Sequence, residues 1–337
     1  MLDLDTLEKY DPQGMHKIYD RWPEIAEKSF QLDLQPVDFS NVNHIIFAGM
    51  GGSGAIGDIF SSILSKTKIH VCVVKGYTLP KTVDSDTLVV TTSISGNTEE
   101  TLAILGSAKK ISSKIIAFSN GGKMEKYCKE NSLEYRHIPI LHSPRASFTS
   151  FLYSMLKVLA PILPIRKEDV VESIVHLKDV RKEISSTNLT ENNPSLALAK
   201  WINDIPLIYY PWGLQAAAIR FKNSLQENSK MHAITEDVIE ACHDGIVAWE
   251  KNAKVQPILI VGEDDYIKTK ERWEILKEYF EEKKIDFKEI NSVSGNILTK
   301  LVNLIYLLDY ASIYRALIVK IDPTPIKSID FVKKRLI

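Results

Sequence analysis

Ser93, Ser95 and Thr98 place three hydroxyls within six positions, around the turn formers Gly96 and Asn97. Leu88-Val89-Val90 ahead of them reads as a buried strand, and Thr101-Leu-Ala-Ile-Leu-Gly106 behind them has helical spacing. A strand that ends in hydroxyls at a helix N-terminus makes an anion site, because the unpaired N–H groups and the helix dipole favour negative charge. The loop holds no lysine and is therefore not a P-loop. An ordinary Ser/Thr-capped strand–helix turn is the plain alternative.

A second such loop, Gly49-Met-Gly-Gly-Ser-Gly54, follows the strand His44-Ile-Ile-Phe-Ala48. Gly49, Gly51 and Gly54 fit G-x-G-x-x-G, so a dinucleotide site has to be weighed. That fingerprint wants a carboxylate closing the next strand, which here runs Ile69–Val74 and ends in Lys75-Gly76. The missing acid argues against NAD, while Lys75 leaves NADP open. Ser53 suits a single phosphate better than a pyrophosphate. The candidate phosphate-binding set is Gly52, Ser53, Ser93, Ser95 and Thr98.

Composition bounds the rest. The 337 residues allow two domains of ordinary size, and 45% hydrophobic with 25% charged residues is usual for a globular chain. A net charge of −1 supplies no global field toward nucleic acid or an anionic membrane. Cys72, Cys128 and Cys242 show neither metal spacing nor a disulfide framework, which fits a reducing cytoplasm. The N-terminus carries no signal-peptide pattern, and no uncharged apolar run approaches the ~18 residues of a membrane span. No cluster of metal-ligand spacing is visible, so no metal is expected.

The elements that must position these loops alternate. Two helices are expected at 3–10 and 14–31, then strands near 43–49, 69–75, 87–92, 114–118 and 134–138, with helices at 53–65, 98–110 and 122–131. This pattern predicts a parallel sheet covered on both faces, with ligands beyond the carboxyl ends of its strands. Ser143-Pro144-Arg145 opens a long apolar helix to about 163, and a second helix spans 167–186. Ser185–Pro194 is a linker candidate. The pattern then restarts with helix 195–203, strand 206–210, helix 214–225, strand 257–261, helix 267–284 and strand 286–290. Ser292-Val-Ser-Gly-Asn296 echoes Ser93-Ile-Ser-Gly-Asn97, as a duplication would. Helix 297–319 is strongly apolar, with Asp309 and Arg315 among its few charges, and reads as core or subunit interface. Asp322-Pro-Thr-Pro325 breaks the chain before a short C-terminal helix.

The Gly49–Gly54 loop, Ser93-x-Ser-Gly-Asn-Thr-Glu-Glu-Thr101 and the two successive α/β halves resemble the sugar isomerase (SIS) domain fold. Ser143-Pro-Arg-Ala146, Gln226-Glu-Asn-Ser-Lys230, His243 and the Asp322-Pro-Thr-Pro tail leading to Lys333 resemble the archaeal bifunctional phosphoglucose/phosphomannose isomerases. His243 follows Glu227 by sixteen positions, as in that family. The resemblance implies two flavodoxin-like SIS subdomains with parallel sheets covered by helices, plus terminal helices. The expected borders are 1–42 for the N-terminal helices, 43–186 and 187–320 for the two subdomains, and 321–337 for the tail. It also implies a cytoplasmic homodimer with the active site at the interface, acting on a phosphorylated hexose and needing no cofactor.

The implied reaction is aldose–ketose isomerisation of glucose 6-phosphate and fructose 6-phosphate, with mannose 6-phosphate as a further substrate. Moving a proton between C1 and C2 through an enediol needs one base, a cation for the developing charge, and an acid/base pair to open the ring. Glutamates at helix ends are usually exposed and inert, but the resemblance makes Glu227 the proton shuttle. His243 reads as a surface residue by default; the resemblance makes it a ring-opening group. Arg145 has a surface reading and an implied role in stabilising the enediolate. Lys333, preferred over Lys334 and Lys327, is the implied ring-opening lysine in a basic cluster. Ile326 stands where the bifunctional members place a small hydroxyl residue, with Thr324 close by, which puts mannose 6-phosphate in question. A phosphosugar-sensing SIS protein without catalysis is the alternative. Residues 1–42 are too short and acidic for a helix-turn-helix module, and the presence of Glu227 favours the isomerase.

Overall fold

Strand-forming apolar runs and the helices between them build two separate parallel sheets. They are described by a computed structural model over residues 2–251 and 253–336; Met1, Asn252 and Ile337 lie outside the described residues. The chain opens with α1 (Leu4–Tyr10), α2 (Met15–Tyr19) and α3 (Trp22–Gln31). The single helix expected at 14–31 is therefore two. Asp20 and Arg21 separate them, and Pro23 falls in the first turn of α3, where its missing N–H has no carbonyl to lose.

The chain forms two compact units that interleave along the sequence. One unit takes in Arg21–His176 and Gly295–Leu301. The other takes in the residues through Asp20, Leu177–Ser294 and those from Val302 on.

The first unit holds β1 (His44–Ala48), α4 (Gly51–Leu64), β2 (His70–Val74), β3 (Leu88–Ser93), α5 (Glu99–Ile111), β4 (Lys114–Ser119), α6 (Gly122–Glu130), β5 (Glu134–His137) and α7 (Phe148–Val158), with the start of α8 (Lys167–Ile184). All five strands are parallel in the order β2-β1-β3-β4-β5. In the central register Phe47 pairs with Val90 and Thr91 with Ala117. Ile45–Ala48 and Leu88–Ser93 are buried throughout, as strands covered on both faces must be. Ile46, Val89, Ile104, Leu105 and Met124 are among the residues that fill one side of this sheet. The crossover after β1 leads out to β2, whereas the one after β3 leads the other way to β4. The loops after β1 and β3 thus flank the topological switch point, where doubly wound sheets open a crevice.

The long helix expected from Ser143 to about 163 is shorter. It starts at Phe148, because Ser147 draws the preceding residues into a turn: its hydroxyl donates to the Leu141 and Ser143 carbonyls and accepts from the Leu141 N–H.

The second unit contains α9 (Pro194–Trp201), β6 (Ile205–Tyr210), α10 (Gln215–Asn228), β7 (Ile234–Asp237), α11 (Val238–Ala241), β8 (Val255–Val261), α12 (Ile267–Glu282), β9 (Lys288–Asn291), most of α13 (Ile297–Ile318), and α14 (Lys327–Lys333). Its four parallel strands run β7-β6-β8-β9. Trp273, Leu276, Phe280 and Leu259 pack with Tyr209, whose hydroxyl accepts from Trp249 Nε1 at 2.9 Å. The Ser185–Pro194 stretch is held down rather than loose. Ser186 donates from its N–H and hydroxyl to Asp20, and Asn193 donates to the Ile184 and Asn188 carbonyls while capping α9. Among the described residues one helix, α13, is long and apolar enough to cross a membrane by length and composition, and 83% of that window is buried inside the protein.

Candidate active site

The two hydroxyl-bearing loops meet at the switch point of the first sheet. Ser93 is the last residue of β3, and Thr98 caps α5 with extended backbone. The Thr98 hydroxyl does not bond the helix end; it lies 2.9 Å from Ser93 Oγ. Ser53, in the first turn of α4 and only 8% exposed, accepts from the Ile94 N–H at 3.3 Å and so ties the two loops together. Ser95 is half-buried, and its Oγ accepts from the Asn97 N–H. Gly52 is half-buried in the first turn of α4.

Helices of 14 and 13 residues, α4 and α5, begin here, and their first-turn N–H groups lack carbonyls four residues back. Four clustered hydroxyls with two positive helix ends can hold a phosphate dianion. Gly96 makes the loop possible. Its φ of +70° is left-handed, and a Cβ there would strike the backbone carbonyl of Gly121. Asn97 supports the turn from outside, donating to the Ser95 carbonyl and accepting from the Lys123 N–H, a role that sequence reasoning assigned only to turn propensity.

The cation that kept NADP open is otherwise engaged. Lys75 Nζ lies 2.6 Å from Asp58 on α4. Burial pushes the Asp58 carboxyl above the usual carboxylate range, and Lys75 partly opposes that shift.

Arg145 is not a surface residue: it is 5% exposed and sits in the turn before α7 rather than at a helix start. Burying a guanidinium is costly unless it is paired, so a surface role is ruled out by its environment. Arg145 and the hydroxyl loops belong to the first unit; Glu227, His243 and Lys333 belong to the second.

Glu227 occupies the last turn of α10 and is half-buried. Two turns earlier on the same helix, Arg220 is buried against Asp309, with Nη2 to Oδ2 at 2.7 Å. Tyr19 and Ser224 also donate to that carboxylate. Burial opposes the charge on Arg220, yet Asp309, Tyr19 and Glu227 hold its pKa above the ordinary value. Beyond the helix, Lys230 reaches back to the Glu227 carbonyl and across to the Pro323 carbonyl, joining α10 to the Asp322–Pro325 tail. Neither Arg220–Asp309 nor Lys230 was singled out as functional from sequence. The only signals were the isolated Asp309 in an apolar helix and the Gln226–Lys230 motif.

His243 is exposed and follows α11, whose N-terminus Asp237 caps. Its surroundings are acidic. Glu236 has its carboxyl raised by burial and by the charges of Asp244 and Glu240. The short strand β7, which positions this turn, was missed because Ile-Thr-Glu-Asp lacks an apolar run. Lys333 ends α14 and is exposed; Ile326 caps that helix, and the Thr324 N–H bonds Asp322 Oδ1. Among the described residues no group of three or more His, Cys, Asp or Glu side chains is arranged to hold a metal.

The echo loop differs in its contents. Ser292 Oγ accepts from the Glu263 N–H, and Asn296 caps α13 by accepting from the Thr299 N–H. The Asn296 N–H donates to Glu172 Oε1 at 3.2 Å, and its side-chain amide donates to the Asp169 carbonyl. An internal carboxylate stands at this helix end.

Residues 38–156 match the SIS domain, and residues 191–336 match the bacterial phospho-glucose isomerase C-terminal SIS domain. A bifunctional phosphoglucose/phosphomannose isomerase from Caldicellulosiruptor bescii is 32% identical over 329 residues, covering 93% of this chain and 96% of that protein. Another of that description, from Aquifex aeolicus, is 31% identical and covers 94% of each chain. The solved structure of a hypothetical protein from Thermus thermophilus shares the fold, with a TM-score of 0.73 at 13% identity, over 98% of this chain and 93% of that one.

Proposed function

The chain belongs to the bifunctional phosphoglucose/phosphomannose isomerase family of SIS-domain proteins, and on that premise we propose that it interconverts glucose 6-phosphate and mannose 6-phosphate with fructose 6-phosphate. The observation that carries the reading is the hydroxyl cluster at the switch point, where Ser93 and Thr98 pair through their hydroxyls and Ser53 accepts from the Ile94 N–H of the same loop. Ser95 and Gly52 complete the phosphate contacts.

With the phosphate held, the sugar ring opens before any carbon-bound proton moves. His243 and Lys333 pass the proton between the ring oxygen and the C1 hydroxyl. Glu227 then takes the C2 proton and returns it to C1 while the O2 hydroxyl proton passes to O1, so the carbonyl moves from C1 to C2 and the charge passes to the enediolate oxygens and back. Arg145 meets that charge; its guanidinium is permanently protonated and planar, suited to two adjacent oxygens. Return of the proton to either face of C2 gives glucose or mannose configuration. The exposure of His243 supports a homodimer in which this residue serves the neighbouring subunit's site. The free thiols Cys72, Cys128 and Cys242 support a cytoplasmic setting.

The deciding experiment supplies fructose 6-phosphate and follows glucose 6-phosphate and mannose 6-phosphate through separate coupled assays. Both products are expected. Formation of neither by the purified protein, together with binding of the sugar phosphate, would establish the sensor reading in its place. Glucose 6-phosphate alone would restrict the activity to glucose 6-phosphate isomerisation.

A further inference from the structure

The end of α10 carries a cation that none of the proton transfers uses. Lys230 lies just past the helix cap Ser229, with φ +56°. A side chain other than glycine or asparagine enters that left-handed region at a cost and stays there only when its surroundings hold it. Two bonds from its ammonium do so. One goes to the carbonyl of Glu227 at 2.5 Å, the other to the carbonyl of Pro323 at 3.1 Å.

The first acceptor belongs to the last turn of the helix, where carbonyls have no N–H four residues on and the backbone frays most easily. It is the main-chain oxygen of the residue assigned as the base. The second acceptor belongs to a buried proline in the tail, whose turn is closed by the Thr324 N–H on Asp322 Oδ1. That tail enters α14 at Lys327 and ends the helix at Lys333. One ammonium therefore grips the backbone of Glu227 and the segment that leads to Lys333. Charge-assisted bonds of this kind are stronger than neutral ones and fix position as well as energy.

We propose that Lys230 is a positioning residue for the isomerisation: it locks the last turn of α10, and with it the Glu227 carboxylate, in register with the C-terminal tail. This rests on the reading of Glu227 as the base. Nothing in the proposal asks Lys230 to touch the sugar. Loosening it lets the carboxylate wander from C1 and C2, and a displacement of about 1 Å costs on the order of 10²-fold in rate.

The test compares Lys230→Met, Lys230→Gly and Lys230→Arg with Glu227→Gln, all in the full-length protein with fructose 6-phosphate. Lys230→Met should lose roughly 10- to 100-fold in kcat while KM stays within about twofold, because the phosphate is held on other loops. Exchange of the transferable C1 hydrogen of fructose 6-phosphate with solvent deuterium should slow in parallel. Lys230→Gly removes the ammonium but also relieves the left-handed backbone, so its melting temperature should stay near that of the unaltered protein while kcat still falls. Added ethylammonium should restore part of that rate, and Lys230→Arg, which keeps donors in reach of both carbonyls, should recover most of it. A merely structural lysine would change the melting temperature and leave the kcat of the folded enzyme alone. Unaltered kcat in Lys230→Gly beside a disabled Glu227→Gln overturns this inference by itself. Retained turnover in Glu227→Gln overturns the base assignment, and the inference falls with it.

Discussion

The loops at Ser93–Thr98 and Ser292–Ile297 share Ser-x-Ser-Gly-Asn, and each leads from a parallel strand into a helix. They part at the sixth position. Thr98 adds a hydroxyl beside Ser93 Oγ, whereas Ile297 adds none. The glycines differ as well. Gly96 presses on the Gly121 backbone, which cannot yield, while Gly295 faces the tip of the Glu172 side chain, which can. Most important is what meets the helix end. At α5 the cap residue leaves its own side chain for Ser93; at α13 Asn296 caps the helix and Glu172 takes the Asn296 N–H. A helix N-terminus attracts an anion in either case. Whether that anion is a ligand or a residue of the chain is decided by one side chain and one neighbour.

The sharpest division this comparison offers is between holding the phosphate and moving the proton. Glu227→Gln keeps size and hydrogen bonding but loses the basic oxygen. Its kcat should drop by about 10²–10⁴ with little change in KM. Solvent-deuterium exchange at C2 should disappear in this variant and survive in His243→Ala on an open-chain substrate. A Glu227→Gln enzyme within a few-fold of normal turnover would end the assignment.

The glycine contrast comes next. Gly96→Ala meets both a left-handed backbone and a collision with Gly121, and should cost roughly 2–4 kcal/mol of stability. Gly295→Ala, at φ +119°, carries strain without a rigid neighbour and should cost visibly less in a side-by-side urea titration. Equal losses would show that backbone strain alone, not the approach of the α6 turn, dictates the first loop.

The third effect separates the hydroxyls. If they hold the phosphate as proposed, Ser95→Ala and Thr98→Ala each remove a bond to a charged acceptor, worth about 1.5–3 kcal/mol, and should raise KM for fructose 6-phosphate about 10- to 100-fold. Ser294→Ala should leave both kinetic constants as they are. If Ser95→Ala and Thr98→Ala bind substrate normally, the cradle holds something other than its phosphate.

How far the chain discloses this arrangement depends on the kind of signal. The first sheet was readable because strands buried on both faces, such as Leu88–Val90 and Ile45–Ala48, are unbroken apolar runs between turn formers. Strand β7 was not, since a short edge strand of Ile-Thr-Glu-Asp carries no period. The two hydroxyl loops were visible as composition at strand ends, but their joining through the Ser53 and Ile94 contact is tertiary. The burial of Arg145 follows from a turn closed by Ser147, which reads on paper as the start of a helix. The roles of Glu227, His243 and Lys333 came from resemblance alone, because a glutamate, a histidine and a lysine far apart in sequence have no pattern of their own. Lys230 was quoted as part of a motif, yet its fold-back onto two carbonyls depends on a tail nearly a hundred residues away.

The smallest effect tests the comparison at its root. Glu172 places a negative charge at the N-terminus of α13, an interaction typically worth about 0.3–1 kcal/mol and weakened by salt. Glu172→Gln keeps an acceptor for the Asn296 N–H while removing the charge, so it should lower stability by about that amount at low salt and by less at high salt. Glu172→Ala goes further and vacates the position. If the echo loop is a phosphate cradle merely plugged by its own carboxylate, inorganic phosphate should raise the melting temperature of Glu172→Ala more than that of the unaltered protein. The expected result is no such difference. Asn296 still caps the helix, Ile297 still offers no hydroxyl, and Ser292 still serves the Glu263 N–H. A phosphate-dependent gain confined to Glu172→Ala would mean that a single side chain separates the two loops, and that the second half of the chain retains the first half's binding chemistry in latent form.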